Sequence, residues 1–306
     1  MKKVLVATEK PFAKVAVEGI KNIIDKAAYE FALLENYTDK SDLLNAVSDA
    51  DALIIRSDIV DAEVVEAAKQ LKIVVRAGAG YDNIDLTACT AKGVVAMNTP
   101  GQNSNAVAEL VIGMMIYHAR GFFSGKPGTE LLDKSVGIHA YGNVGKHVAR
   151  IAKGLGMTVY AFDPFVEKSV IEADGVIAVD SVEELYSKSQ YISLHIPATA
   201  ETKNSIGYDL LMKMPEGAVL VNTARKEVID EAGIIKVFET RKDFAYLSDI
   251  EPACLNDLKE KYSGRFYCTP KKMGAQTEEA NINAGLAAAN QIVDFFEKGD
   301  VRFKVN

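Results

Sequence analysis

Short apolar runs alternate with stretches of helical period from the start of this chain. Runs at 3–7 (KVLVA), 29–34, 52–56 (ALIIR), 72–76 (KIVVR) and 94–97 predict strands. Between them, 12–26, 41–48, 61–70 and 86–92 predict helices. Several of the runs are apolar throughout rather than alternating, the mark of a parallel sheet covered on both faces. Residues 1 to about 98 therefore read as one doubly wound unit, closed by the turn cluster NTPG at 98–101. A helix follows at 105–119, with Val107, Leu110, Val111 and Met114 at i, i+3, i+4, i+7 as its expected buried face. The Gly- and Lys-rich stretch 121–134 predicts a loop.

The rhythm then restarts. Strands are expected at 135–139, 158–162, 190–195, 217–222, 244–249 and 266–269, and helices at 144–155 and 230–241. Ser181-Val182-Glu183-Glu184 is a capping box that opens another short helix. A long final helix spans 277–298, with Ile282, Leu286, Val293 and Phe296 on one face. It is too long to cap the second unit alone. The chain is expected to leave a first domain, build a second and return, so that 1–98 and 276–306 form one domain and 99–275 the other. The fold class is α/β, two doubly wound parallel-sheet domains with an interdomain cleft. Hinges fall at 98–101 and 269–275.

Composition narrows the function classes. A length of 306 residues suits two domains, and 48% hydrophobic with 25% charged residues is ordinary for a soluble protein. The net charge of −7 argues against a nucleic-acid partner, and no run of Lys and Arg reverses that. No stretch approaches 18 apolar residues and the N-terminus MKKVLVATEK lacks a signal-like core, so a cytoplasmic protein without a membrane partner is expected. Cys89, Cys254 and Cys268 are scattered, with no CxxC, which supports neither a metal site nor a disulfide framework. No GxSxG, HExxH or Walker-type P-loop occurs.

The chemistry begins at 136–163, which reads strand, glycine turn, helix, strand, acid. That is the layout of a dinucleotide-binding fingerprint. Gly142 admits the backbone to a pyrophosphate, Asn143 and Val144 open the helix whose N–H groups hold it, and Gly145 lets the helix close on the strand. Asp163 stands where an acid bonds a ribose 2′-OH and repels a 2′-phosphate, which favours NAD over NADP. The first glycine of the pattern is Ala140 here, acceptable only if its φ stays negative. In the first domain, Arg56 with Ser57 and Arg76 end strands, where open α/β sheets bind ligands. The N–H groups from Ala77, Gly78 and Ala79 onward suit a carboxylate and the arginines a phosphate, unless they pair with Asp58 or Asp82.

Ordered phrases carry a wider likeness: IIRSDIVDAEVVEAA (54–68), VRAGAGYDNIDL (75–86), NTPGQNSNAVAEL (98–110), YISLHIPATAETKNSIG (191–207), VLVNTARKEVIDE (219–231), SDIEP (248–252) and TPKKMGAQTEEANINA (269–284). In these the chain resembles the D-isomer-specific 2-hydroxyacid dehydrogenases, and among them the members acting on 3-phospho-D-glycerate. The resemblance implies a flavodoxin-like substrate domain, a Rossmann NAD-binding domain that forms a homodimer, and hydride transfer between a small 2-hydroxy acid and NAD. It also suggests a short form without a C-terminal regulatory domain. By the same resemblance Arg225 holds the substrate, Glu251 pairs with the acid/base, and Asp249 contacts the nicotinamide carboxamide. His195, Pro197, Thr223, Ala224, Gly274 and Ala275 complete the cofactor site.

Two departures matter. Lys226 replaces the glycine after Arg225, and the family's histidine is absent, with Lys271 and Lys272 where TPH would continue. Either a lysine is the acid/base, with an alkaline optimum for oxidation, or activity is lost. The alternatives are a dehydrogenase of another D-2-hydroxy acid (glycerate/hydroxypyruvate or lactate) and a non-catalytic NAD sensor.

Overall fold

The computed structural model describes residues 1–306, which cluster into two compact units. The first, Met1–Asn103 with Gln276–Asn306, is built on five parallel strands. These are β1 (Lys3–Thr8), β2 (Glu30–Glu35), β3 (Ala52–Ile55), β4 (Ile73–Arg76) and β5 (Val95–Asn98), in the order β2-β1-β3-β4-β5. That is the flavodoxin-like order. Helices α1 (Lys14–Lys26), α2 (Lys40–Val47), α3 (Ala62–Ala67) and α4 (Leu86–Ala91) make the crossovers. All four residues of β3 are buried, as its unbroken ALII run requires of a strand covered on both faces. Asp61 and Asp85 start α3 and α4 by accepting the N–H groups of Val64 and Ala88, caps of about 1 kcal/mol each.

The second unit, Ser104–Ala275, opens with α5 (Ser104–Ala119). Its seven parallel strands are β6 (Ser135–His139), β7 (Thr158–Phe162), β8 (Ile177–Ala178), β9 (Tyr191–Leu194), β10 (Val219–Asn222), β11 (Ala245–Ser248) and β12 (Phe266–Cys268). They run β12-β11-β10-β9-β6-β7-β8, the Rossmann order extended by a seventh strand. The chain reverses its direction of growth between β6 and β9, which makes that pair the switch point. Helices α6 (Asn143–Gly154), α7 (Lys168–Ala173), α8 (Val182–Lys188), α9 (Tyr208–Leu211), α10 (Glu231–Thr240) and α11 (Leu255–Tyr262) cover the faces. At Ser181 the capping box forms, its hydroxyl taking the N–H of Glu184 at 3.1 Å. α12 (Glu278–Lys298) then returns to the first unit.

Burial departs from the sequence pattern in both long helices. On α5, Val107 and Leu110 are only partly buried, while Ala108, Val111, Ile112, Met115 and Ala119 face inward with Met114. This helix is apolar nearly all round, so periodicity does not single out a face. On α12, Ile282, Leu286, Val293 and Phe296 are partly buried, and Ala284, Gly285, Ala288, Ala289 and Ile292 form the covered stripe. Small residues let α12 lie close against Ile20 and Phe12 of the first unit's core, so the larger side chains are displaced to the flanks. The 121–134 stretch is not featureless. Gly121–Phe123 forms a 3₁₀ turn, with Phe122 and Phe123 at φ +55° and +54° and both rings set edge-on to Tyr117 at 5.1 Å.

All three cysteines are free thiols. Burial pushes the Cys89 thiol up to about 11 and Cys254 to about 12, so neither is a ready nucleophile. No helix is long and apolar enough to cross a membrane.

Candidate active site

At the switch point β6 ends in His139 and the chain turns sharply at Ala140, whose φ is +80°. The expectation of a negative φ is therefore wrong: the alanine adopts the glycine conformation, at a cost of about 1–2 kcal/mol. Gly145 explains why the turn must be so tight. A Cβ there would stand 2.4 Å from the Ala140 carbonyl oxygen and 2.9 Å from Ile138, so only glycine lets α6 approach β6 this closely. Gly142 is the N-cap of α6 and offers no side chain, and the first turn contains no acid. The opening N–H groups thus lack a capping side chain, and the space beside Gly142 is open. Asp163, just beyond β7, is held on both sides: one oxygen accepts the Tyr141 N–H at 2.8 Å, the other the Phe165 N–H at 2.9 Å.

His195 follows β9 and donates its N–H to the His139 carbonyl at 2.9 Å. Its Nε2 lies 2.9 Å from the Ser193 hydroxyl, while His139 Nδ1 lies 3.3 Å from the Tyr186 hydroxyl. Desolvation pushes His139 down to about 4 against the opposing pull of the Asp163 carboxylate, and pushes His195 down to about 3, where the charge of His139 lowers it further. Both imidazoles are neutral at ordinary pH. Pro197 lies on the exposed loop beyond, its carbonyl accepting the Thr202 hydroxyl at 2.6 Å.

β10 delivers the arginine. Asn222 is fully buried and shapes the turn after it: its Oδ1 accepts the Ala224 N–H at 2.9 Å and its Nδ2 donates to the Arg225 carbonyl at 3.0 Å. Arg225 is thereby presented with an exposed guanidinium. Thr223 is buried, yet its hydroxyl has no hydrogen-bond partner. Asn222 is a site residue that the sequence reading passed over. The available signal was an Asn at a strand end, a residue that bonds its own backbone two residues on.

Asp249 follows β11 and is 1% exposed. Its Oδ1 accepts the Thr269 hydroxyl at 2.8 Å and the Met273 N–H at 2.9 Å, and its Oδ2 accepts the Gly274 N–H at 2.8 Å. The carboxylate expected to face a carboxamide is thus first an anchor for the segment that carries Lys271 and Lys272. Both lysines are exposed, as is Glu251 on the loop after β11, while Gly274 is buried and Ala275 partly so.

In the first unit Arg56 and Arg76 come together at the ends of β3 and β4. Arg76 Nε donates to the Arg56 carbonyl at 3.0 Å. Arg56 donates to the carbonyls of Lys10 and Pro11 and to Asn281 Oδ1 at 2.9 Å, and lies 5.1 Å over the Phe12 ring. Neither guanidinium forms an ion pair. Asp58 is occupied by the N–H groups of Glu9 and Arg56 and by the Tyr37 hydroxyl. Burial lowers both arginine pKa values and the charge of Arg56 lowers that of Arg76 further, while Asp58 and Asp82 offset this only in part, so an anion here would relieve both. The neighbouring backbone offers less than expected. Ala77 N–H is committed to Ile55 and Gly78 N–H to Arg76, which leaves Ala79 and Gly80 as donors. A Cβ at Gly78 would stand 1.5 Å from Arg76 Nη1, so the guanidinium lies directly on that glycine. Ser57, beside this pair, is exposed.

Comparison with known proteins places this geometry. Residues 114–259 match the NAD binding domain of the D-isomer specific 2-hydroxyacid dehydrogenases. A hydroxypyruvate reductase of Thermotoga maritima is 33% identical over 86% of the chain and 90% of its own length. The chain belongs to the D-isomer specific 2-hydroxyacid dehydrogenase family. A NAD+-bound 3-phosphoglycerate dehydrogenase structure from Entamoeba histolytica is 50% identical, with a TM-score of 0.85, over 100% of this chain and 98% of that one. A D-3-phosphoglycerate dehydrogenase of Methanocaldococcus jannaschii is 37% identical over 83% of this chain and 51% of its own length. The chain spans about half the length of the first curated relatives it matches.

Proposed function

We propose that the chain oxidises 3-phospho-D-glycerate to 3-phosphohydroxypyruvate with NAD, and runs the reverse, as the first step of serine synthesis. The observation that carries the phosphate is the Arg56–Arg76 pair: two desolvated guanidiniums, with Asp58 and Asp82 near enough to act on them but neither in an ion pair. The second unit fits the cofactor. It has an uncapped helix N-terminus at Gly142, Asn143 and Val144, a fixed carboxylate at Asp163, and a buried, unpartnered hydroxyl at Thr223. Bound NAD supplies the acceptor for the C2 hydride.

The remaining work falls to the chain. Arg225 binds the substrate carboxylate or the C2 oxygen in a planar fork and so orients C2. As the hydride leaves C2, the hydroxyl proton passes to Lys271 or Lys272. Glu251 helps to hold the resulting ammonium. An ammonium donates readily in reduction, whereas oxidation needs the free amine and rises with pH. Changing each lysine to alanine separately is expected to lower turnover by about 10²–10⁴-fold for one of the two. If neither variant is slowed, the lysine assignment fails.

The deciding assay is NADH consumption with 3-phosphohydroxypyruvate, hydroxypyruvate and pyruvate across pH. Preference for the phosphorylated acid is expected. Preference for hydroxypyruvate would shift the reading to the activity named for the Thermotoga maritima relative. Turnover with none of them would favour a NAD sensor. The same reading includes a homodimer through the second unit, supported by the exposed Ile116, Phe123 and Leu132, and a cytoplasmic setting, supported by three unpaired thiols.

A further inference from the structure

One flank of α6 carries Lys146, Arg150 and Lys153, at i, i+4 and i+7. With Tyr141, Asp174 and Val176 they line a cavity of about 450 Å³ in the second unit. Asn143, Val144 and Gly145, which open the helix toward the dinucleotide, do not line it.

No member of this trio is in an ion pair. Arg150 donates to the Asn105 amide oxygen at 2.8 Å, Lys153 donates to the Asp174 main-chain carbonyl at 2.5 Å, and Lys146 stands 5.9 Å above the Tyr141 ring. The one carboxylate in the wall, that of Asp174, accepts the Tyr141 hydroxyl at 2.9 Å. Elsewhere this chain pairs its helical lysines with acids four residues away, as in Lys21–Asp25, Lys188–Glu184 and Lys298–Asp294. On α6 the i, i+4 neighbours are instead alike in charge, and Lys146 lies near the positive end of the helix. Both arrangements disfavour the helix itself. Uncompensated cations concentrated around one cavity, in a chain of net charge −7, are the arrangement of an anion site.

We infer that this cavity binds a small polyphosphate anion. From i to i+7 the charges rise about 10 Å along the helix, which suits two or three linked phosphates rather than one. The volume is that of a small-molecule site, too small for a folded partner.

Calorimetric titration with inorganic tripolyphosphate, carried out with and without saturating NADH, tests this. Saturable binding near one per chain is expected, unchanged by NADH, weakened by salt and weakened at least about 10-fold by the double change R150E/K153E. The neutral pair K146Q/R150Q serves as a second variant, and thermal melts establish that each is folded. Adenosine triphosphate in the same titration separates sources: tighter binding than tripolyphosphate marks a nucleotide, equal binding an inorganic or non-nucleoside polyphosphate. Three results would overturn the inference: no saturable binding, equal binding by the folded variants, or displacement by NADH, which would put the probe at the glycine turn. None of these depends on whether the proposed redox reaction occurs.

Discussion

At the strand ends of the second unit the protein itself satisfies most polar atoms. Asp163 accepts two backbone N–H groups, Asp249 three donors, and Asn222 bonds the turn it begins. At the strand ends of the first unit, two guanidiniums have carbonyl and amide partners but no ion pair. The two sheets share an architecture and differ in what they leave undone. One holds geometry ready, so damage to it should appear in turnover. The other holds charge ready, so damage to it should appear in substrate affinity.

The sharpest way to break that contrast is at Asp249. Asp249→Ala strips three bonds from the segment bearing both lysines, and kcat should fall about 10²-fold or more with KM little changed. A variant with raised KM and intact kcat would put Asp249 in binding instead. Next is acid. The folded His139 imidazole titrates at about 4, because burial disfavours its charge, whereas an unfolded one titrates near 6.5. The unfolded chain therefore takes up a proton first. Stability is complete above pH 6.5 and is lost as the pH falls toward 4, on the order of 2–3 kcal/mol from this group. Urea melts at pH 7 and 4.5 should show a slope to which His195 also contributes, and His139→Gln should reduce it by roughly half; an unchanged slope would mean that His139 does not contribute.

In the first unit, Arg76→Gln should raise KM for 3-phosphohydroxypyruvate about 10–100-fold, leaving kcat and the hydroxypyruvate KM nearly unchanged. Equal loss with both substrates would mean that the arginine serves the carboxylate. The smallest effect is Ala140→Gly, expected to stabilise the protein by about 1 kcal/mol by relieving the +80° φ, as read by thermal melts. No gain would mean that the added freedom of the unfolded chain offsets the relief.

Much of this was legible in the residues. Continuous apolar runs announced both parallel sheets, and the order of strand, turn, helix and acid located the nucleotide half. What stayed hidden was of two kinds. α7, β8, α9 and α11 are short or polar, with too little periodicity to register. The packing stripe of α12 is made of alanines and a glycine, which bury well but score weakly beside Ile282 or Phe296. Asp249 shows the other limit, since its partners lie 20–25 residues further on and only the fold brings them to it. Ala140 misled because the conformation it adopts is uncommon for its side chain.

Gly78 gives the arginine pair an unusual vulnerability. Because the Arg76 guanidinium lies where any side chain at 78 would go, the two positions behave as one heritable unit. An alanine or serine at 78 would displace the guanidinium while leaving Arg76 itself in place. The proposed grip on a phosphate could therefore be lost through a residue that bears no charge at all.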